Sequence, residues 1–309
     1  MGFVSNISVE NDEITIEDLS KEHVQTAYDT FPQGVSSAIA AHRNLGHLQL
    51  NLMGANSDDE SVSEELFNSK AAYLIYDWVA RHIAERSLIL GLKAEYTIAS
   101  VLLRTSLEAH MTGIFTNSLS DTEFRESFRE DCNSKTSSEI QEAFDFADPW
   151  QVINMIERED LESTARILDI INETSNQGIH EIHNGWVRDL LFEYGYFNPK
   201  PDGEIKQLYS QLSSSVHAHI GTTLANRSNK EGGHPFNSPT HVEDDLSRFL
   251  SEYFAVMDTK GVLMLNEFED DLENYPEAQS LINQSNYGFR SLNLTDTDAK
   301  LEQISSRFP

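Results

Sequence analysis

The sequence predicts an all-α protein, a multi-helix bundle with peripheral acidic insertions. Apolar residues recur every three or four positions through much of the chain, which is the spacing of one buried face of an α-helix. The charge is also unevenly distributed. Residues 71–130 carry 6 basic and 8 acidic side chains and residues 201–260 carry 5 and 8, while the chain as a whole has a net charge of −29. We therefore expect the core helices in these two stretches and solvated faces in the acidic ones.

The N-terminal region is predicted to form short secondary-structure elements. Residues 13–16 alternate in the manner of a short β element, and Ser20 is a suitable N-cap for a short helix. Pro32 precedes a helix near residues 35–53, because proline is accepted only at a helix start. Residues 54–61, GANSDDES, form a polar linker.

The central region predicts the longest helices. Residues 63–119 are helical, and Gly91 divides them into two helices. The apolar positions on which this prediction depends are Leu74, Ile75, Trp78, Val79, Ile83, Leu103, Leu107, Met111 and Ile114.

Later segments predict further helices, punctuated by Pro149, Gly178, Pro199 and Pro201. The predicted segments are an acidic helical hairpin at 121–147 and helices near 149–157, 160–174, 179–194, 202–224, 242–268 and 297–307. The pattern divides the chain into residues 1–62, an N-terminal acidic extension with short helices, residues 63–270, the helical bundle domain, and residues 271–309, a polar acidic C-terminal tail.

The excess of acidic over basic residues predicts that the protein works at a high salt concentration. The chain has 51 Asp and Glu against 22 Lys and Arg, and such a surface repels itself in ordinary salt. At about 1 M salt the Debye length shrinks to about 3 Å, so the repulsion is largely screened. No apolar run is long enough to cross a membrane, and the N-terminus lacks the pattern of a signal peptide. We therefore expect a cytoplasmic protein of a halophile, with no membrane partner.

The absence of several sequence motifs excludes the classes of function that depend on them. The sequence contains no P-loop, no GxGxxG, no GxSxG and no HExxH. The single cysteine, Cys132, cannot form an intrachain disulfide or a cysteine metal cluster. We expect no cofactor and no bound metal.

The helix around residues 101–110 carries the first candidate site. Arg104 and Glu108 are one turn apart, so they share a helix face that borders the apolar stripe. Charged groups beside a core have to be paired, because an unpaired buried charge costs several kcal/mol. The pair is interpreted either as a structural ion pair or as part of a functional polar cluster.

The helix around residues 205–224 carries the second candidate site. Tyr209, Ser213 and His217 follow one another at intervals of four and form one polar strip at the edge of the apolar stripe. A histidine there is either a hydrogen-bonded core residue or an acid–base group, because its ordinary pKa is about 6.5.

These two patterns together resemble a known group of proteins. Arg-x-x-x-Glu on an apolar helix, followed about 100 residues later by Tyr-x-x-Leu-Ser-x-x-Val-His, resembles a family of prokaryotic helical proteins related to the HEPN-like superfamily. The resemblance covers about residues 70–225. The matching residues are Arg104, Glu108, Tyr209, Leu212, Ser213, Val216 and His217.

The resemblance implies a helical, often dimeric domain, and for many members a metal-independent ribonuclease of the defence or toxin type. Such enzymes use an Arg and a His with four to six residues between them, and Arg104 and His110 have five. The histidine would act on the ribose 2′-hydroxyl and the arginine would stabilise the phosphorane charge. The residue after the arginine, often Asn in the family, is Thr105 here, and on one straight helix Arg104 and His110 lie about 240° apart.

Three functional hypotheses follow, and the third is a helical bundle that binds a small molecule or a metal ion. The first is a ribonuclease with Arg104 and His110 as the catalytic pair, assisted by Glu108 and His217, and with RNA as its partner. The second is a non-catalytic helical module that forms a homodimer or binds another protein, with Arg104, Glu108, Tyr209, Ser213 and His217 as a structural polar network. The acidic charge disfavours RNA, because phosphate contacts require Lys and Arg.

Overall fold

The computed structural model describes residues 7–10, 13–16, 21–118, 187–216 and 243–307 of the chain, and this part is helical apart from one β-hairpin. The predicted all-α fold is confirmed. The helices are α1 (Lys21–Thr30), α2 (Pro32–Leu52), α3 (Glu60–Ser69), α4 (Ala71–Leu92), α5 (Tyr96–Ser118), α6 (Val187–Glu193), α7 (Asp202–Val216), α8 (Glu243–Phe268), α9 (Pro276–Gln284) and α10 (Thr295–Ser305), with single 3₁₀ turns at Asp271–Glu273 and Phe289–Leu292.

The hairpin precedes the helices. Strand β1 (Ile7–Glu10) pairs antiparallel with β2 (Glu13–Ile16), and Ile7 lies opposite Ile16. Strand β2 occupies the residues for which the sequence predicts a β element. Predicted helices between residues 121 and 174 lie outside the described residues.

Helices α4 and α5 form the most extensively packed pair of elements. Two side-chain hydrogen bonds fix their antiparallel register: Ser106 donates to the carbonyl of Ala80 (2.5 Å), and Ser87 donates to that of Ala99 (2.6 Å). Both serines are buried, so these bonds form away from competing water.

The break between α4 and α5 falls after Gly91 rather than at it. The chain turns at residues 93–95, where Ala94 adopts a left-handed conformation with φ of 62°. Gly91 itself is helical, and the ring of Phe249 lies against it. A Cβ added at Gly91 would come within 2.0 Å of Phe249 Cε1. The glycine therefore serves close helix packing and not chain reversal.

Helix α8 is the central element of the bundle. It packs against α2, α4, α5, α7 and α10, and it is buried through most of its length. Three acidic residues occupy its first turn, where the positive end of the helix dipole favours them. The sequence predicts this helix at residues 242–268, one residue longer than observed.

The described parts of the chain ends join the same hydrophobic core. From α2, the segment predicted as an N-terminal extension contributes Leu48 and Leu52, which are fully buried. From the segment predicted as a polar tail, Leu272, Phe289 and Leu294 are also fully buried. Glu273 and Glu277, which lie between Leu272 and Phe289, are exposed, so an acidic segment still contributes apolar residues to the core.

A buried aspartate attaches the last helix to α8. Asp258 accepts hydrogen bonds from the backbone N–H (2.9 Å) and the hydroxyl (2.7 Å) of Thr297, at the start of α10. Lys200 donates to both Asp258 (2.7 Å) and Asp296 (2.6 Å). A Cβ at Gly261 would come within 2.4 Å of Thr297 Oγ1, so this glycine permits the close approach. Asp258 thus caps a helix that begins 37 residues later in the chain.

None of the described helices combines the length and the apolarity that a membrane span requires.

Candidate functional site

The structure brings together three of the residues singled out from the sequence. Arg104 Nε donates to Glu108 Oε1 (2.8 Å), one turn further along α5. Tyr209 of α7 donates its hydroxyl to the same carboxylate oxygen and accepts a hydrogen bond from Arg104 Nη2 (3.3 Å). The Arg104 guanidinium also lies over the Tyr209 ring, 4.8 Å from its centre. These contacts hold α5 against α7, and we call Arg104, Glu108 and Tyr209 the Arg104 group.

The Arg104 group is partly open to solvent. The side chains of Arg104 and Glu108 retain 12% and 24% of their exposure. Burial and the bond to Glu108 raise the pKa of Tyr209, so its phenol stays protonated and acts as the donor. Within the described part of the chain, Arg104 Nη1 is buried without a hydrogen-bond partner. Arg188 lies over the same tyrosine ring, 5.6 Å from its centre.

Ser213, a further candidate on α7, does not extend this group. Ser213 donates to the backbone carbonyl of Tyr209 (2.6 Å), which is a local contact within one helix turn. His217 lies outside the described residues.

His110 lies in a different environment from Arg104. Its side chain is 1% exposed, and Nδ1 is 2.8 Å from Asp77 Oδ1 of α4. Tyr73 packs edge-on against its ring, with centres 5.4 Å apart. Arg104 and His110 therefore belong to two separate networks on different sides of α5, and one chain does not bring them together.

Asp77 is the centre of the second network. Besides His110, its carboxylate receives a hydrogen bond from Gln49 Nε2 (2.5 Å) and forms an ion pair with Arg81, whose Nε is 3.1 Å from Oδ2. Burial alone would raise the pKa of Asp77, but the bond from His110 and the charges of Arg81 and Lys260 hold that pKa well below its ordinary value. The aspartate is therefore ionised and fully partnered.

His110 is neutral in this setting. Burial lowers its pKa, and Lys260 and Arg81 add to the effect, while Asp77 opposes it. A neutral ring that donates from Nδ1 to Asp77 leaves Nε2 as an acceptor. This atom is buried and has no partner among the described residues.

A small cavity of about 20 Å³ adjoins this network. Such a volume holds about one water molecule. Its polar lining comes from His42 of α2, Asp77 and Arg81 of α4, His110 of α5 and Lys260 of α8, and apolar side chains close the rest. Lys260 Nζ donates to Ser106 Oγ (3.2 Å), and burial lowers the pKa of Lys260 to about 8. We call Gln49, Asp77, Arg81, His110 and Lys260 the Asp77 cluster.

His42, which lines the same cavity, makes the stability of the folded protein depend on pH. Burial, with the charges of Arg81 and Lys260, lowers the pKa of His42 to about 3. Because the unfolded chain takes up a proton near pH 6.5 and the folded chain does not, stability is lost as the pH falls from about 6.5 towards 3. We expect His42 to contribute a slope of up to about 1.4 kcal/mol per pH unit in this window.

Urea unfolding at several pH values tests this expectation. The variant His42→Asn keeps a hydrogen-bonding side chain near the Tyr253 hydroxyl, which lies 3.0 Å from His42 Nδ1, but it cannot titrate. Its stability should fall less steeply than that of the wild type between about pH 6.5 and pH 4.5. Equal slopes would show that His42 does not titrate as described.

The sequence pattern did not single out Asp77, Arg81, Lys260 or His42. Asp77 and Arg81 do stand at an interval of four inside an apolar run, and Lys260 interrupts the apolar residues of α8. Charged residues that interrupt an apolar run indicate a buried ion pair, because a charge on a buried face needs a partner. What the sequence could not supply was the identity of that partner.

Within the described ranges, no three His, Cys, Asp or Glu side chains are grouped so that they could hold a metal ion. Comparison of the chain with protein-family models, with curated proteins and with solved structures finds no match.

Proposed function

We propose that this chain is a HEPN-like helical module that acts by association, first of all with a second copy of itself, through the outer face of α4 and α5. The observation that carries the proposal is the apolar character of this face. Trp78, Val79 and Ile98 are exposed to 55%, 39% and 52%. Half-buried Ile75, Ile83, Val101 and Leu102 continue the same faces. Apolar surface concentrated in this way is typical of an interaction site.

The spacing on α4 supports a helix-packing interface. Ile75, Trp78, Val79, His82 and Ile83 recur at intervals of three and four on the side of α4 away from the core. Trp78 stacks on His82 with ring centres 5.3 Å apart. A helix with one apolar face in the core and a second one outside has a surface for another helix.

Charge also favours this face for self-association. The chain has a net charge of −29, so two copies repel each other over most orientations. Residues 71–118 contain four basic and four acidic side chains and are neutral in sum. Among the side chains of α4 and α5 that the structure describes, the exposed ones are Trp78, Val79, His82, Arg86, Ile98 and Thr105, none of which is acidic.

The Asp77 cluster supports a structural rather than a catalytic function for the bundle interior. His110 is buried, and Asp77 has two hydrogen-bond partners and the ion pair with Arg81. Such a network fixes the register of α2, α4, α5 and α8 behind the exposed face. A rigid face loses little entropy on association.

Replacing apolar residues of the face tests the proposal. Val79→Asp and Ile98→Asp each place a carboxylate in the proposed interface, and each should weaken the dimer by about 2–4 kcal/mol, the range of an interface hot spot. The matched control is Gln207→Asp, an exposed position on α7. Sedimentation velocity should show monomers for the first two variants and the wild-type mass for the control. Unchanged mass in both variants, with unchanged melting temperatures, contradicts the proposal.

The acidic surface belongs to the same proposal, namely that the protein works in the cytoplasm of a cell with high internal salt. We expect its melting temperature to rise steeply with KCl, because screening at about 1 M reduces the Debye length to about 3 Å. Thermal melts at increasing KCl measure this. A melting temperature independent of salt contradicts the halophilic interpretation.

A ribonuclease is the second candidate, and one observation favours it. Arg104 Nη1 is a buried donor without a partner among the described residues, and Arg188 adds a second positive charge beside it. A phosphate group could accept from such a guanidinium. RNA cleavage in molar KCl, present in the wild type and abolished in Arg104→Gln at equal melting temperature, would favour this function. Equal cleavage by both proteins would remove Arg104 from it.

A further inference from the structure

The cavity beside the Asp77 cluster has more positive than negative groups in its lining. Asp77 is the one carboxylate among the lining residues, against the cations Arg81 and Lys260. That carboxylate already receives hydrogen bonds from Gln49 and His110 and the ion pair of Arg81. The cavity therefore holds a positive charge that its own carboxylate does not balance at close range.

The positive charge that lacks a nearby carboxylate is that of Lys260. Its ammonium group contacts Ser106 Oγ, whose own proton is donated to the carbonyl of Ala80. No carboxylate of the described residues lies within ion-pair distance of Lys260, although the side chain is 5% exposed. An ammonium has three donors, and a buried charge needs a counter-charge or else loses its proton.

His110 supplies an independent sign of a missing ligand. Its Nε2 is buried and unpartnered within the described part of the chain, and the ring lines the cavity. The hydrogen bond between His110 Nδ1 and Asp77 fixes the orientation of the ring. The carboxylate also stabilises the imidazolium when the ring is protonated. The protonated ring would then present a donor at Nε2.

We propose that this cavity binds a monovalent inorganic anion of halide size, with chloride as the natural ligand. Lys260 Nζ donates to it, and the Arg81 guanidinium adds positive charge. His110, which is neutral while the cavity is empty, takes up a proton together with the anion, and its Nε2 then donates as well. The volume of about 20 Å³ admits a guest of roughly the size of a water molecule. The apolar side chains of the lining suit a weakly hydrated anion.

Anion binding is coupled to protonation. The titratable groups that face His110 are Tyr73, Asp77 and Arg81 on α4, His42 on α2 and Lys260 on α8. Of these, Asp77 stabilises the proton, and Arg81 and Lys260 oppose it. A bound anion offsets the opposing charges, so His110 and Lys260 hold their protons more tightly when the cavity is filled. The anion should accordingly bind more tightly at about pH 6 than at about pH 8.

Bromide tests the site directly, because it is a halide with a strong anomalous signal. Crystals of the full chain grown in bromide should show an anomalous peak between Lys260 Nζ and His110 Nε2. A water molecule at that place, with no anomalous peak, overturns the proposal.

A measurement in solution tests the same residues. At constant cation concentration, replacing gluconate by bromide should raise the melting temperature of the wild type, and the variant Lys260→Met should weaken the apparent bromide affinity at least tenfold. The control is Lys300→Met, another buried lysine, which pairs with Glu269 instead. Equal bromide dependence in the wild type and Lys260→Met overturns the proposal, and the crystallographic measurement on the wild type stands even if that variant does not fold.

Discussion

Replacing Asp77 by alanine is expected to reduce the free energy of unfolding by about 3–5 kcal/mol, the usual cost of removing one partner from a buried charge network. The substitution would remove the ion pair of Arg81 with this carboxylate and the hydrogen-bond partner of Gln49 Nε2 and His110 Nδ1. The residue is 2% exposed, so water cannot replace the lost acceptor. Urea unfolding in molar KCl, followed by circular dichroism, measures the loss.

Two further variants make the interpretation specific. Asp29→Ala removes an exposed carboxylate that accepts a hydrogen bond from Gln25, and it should change stability by less than about 1 kcal/mol. Asp77→Asn keeps the shape but not the charge, so its cost should lie between the two. If Asp77→Ala were no more costly than Asp29→Ala, the network would not have the structural function assigned to it.

Replacing Asp258 by alanine is expected to cost about 3 kcal/mol and to release the C-terminal segment first. Thr297 would lose the acceptor of its backbone N–H, while its hydroxyl would keep only the main-chain carbonyl of residue 258. Lys200 would lose one of its two carboxylates. An N-cap alone is worth about 1 kcal/mol, and the buried ammonium adds the larger share. Hydrogen exchange should show faster exchange in α10 while the amides of α4 and α5 change little.

The matched control for this variant is Asp298→Ala. Asp298 pairs with Arg290, whose side chain is 66% exposed, so its loss should cost less than about 1 kcal/mol. Uniform acceleration of exchange across the whole bundle in Asp258→Ala would mean that the C-terminal segment does not open separately. Unchanged exchange in α10 would contradict the capping function of Asp258.

The helices were largely predictable because their signals are local. Helix α8 begins and ends within one residue of its predicted range, since acidic residues mark its start and an apolar stripe runs through it. Pro32 was expected before α2 and is its first residue, where a missing N–H costs nothing. The break between α4 and α5 was placed at Gly91, because a helical glycine kept for packing has the same letter as one kept for a turn.

The candidate site was predictable only in part, for a physical reason. Arg104 and Glu108 share one helix face by spacing alone, and the polar strip of the second candidate helix includes Tyr209, which does contact them. The partner of His110 is 33 residues away in the sequence. That contact exists because of the register of α4 on α5, which no local pattern encodes. Apolar residues of the last 40 positions were likewise too widely spaced among acids to reveal that they enter the core.

Sedimentation velocity of the unmodified protein in molar KCl, over a range of concentrations, tests the central claim most directly. Association through the outer face of α4 and α5 predicts a species of twice the chain mass of 34.9 kDa, which Ile98→Asp converts to the single mass. A wild-type protein that sediments at 34.9 kDa at every concentration would contradict the claim that this face joins two copies.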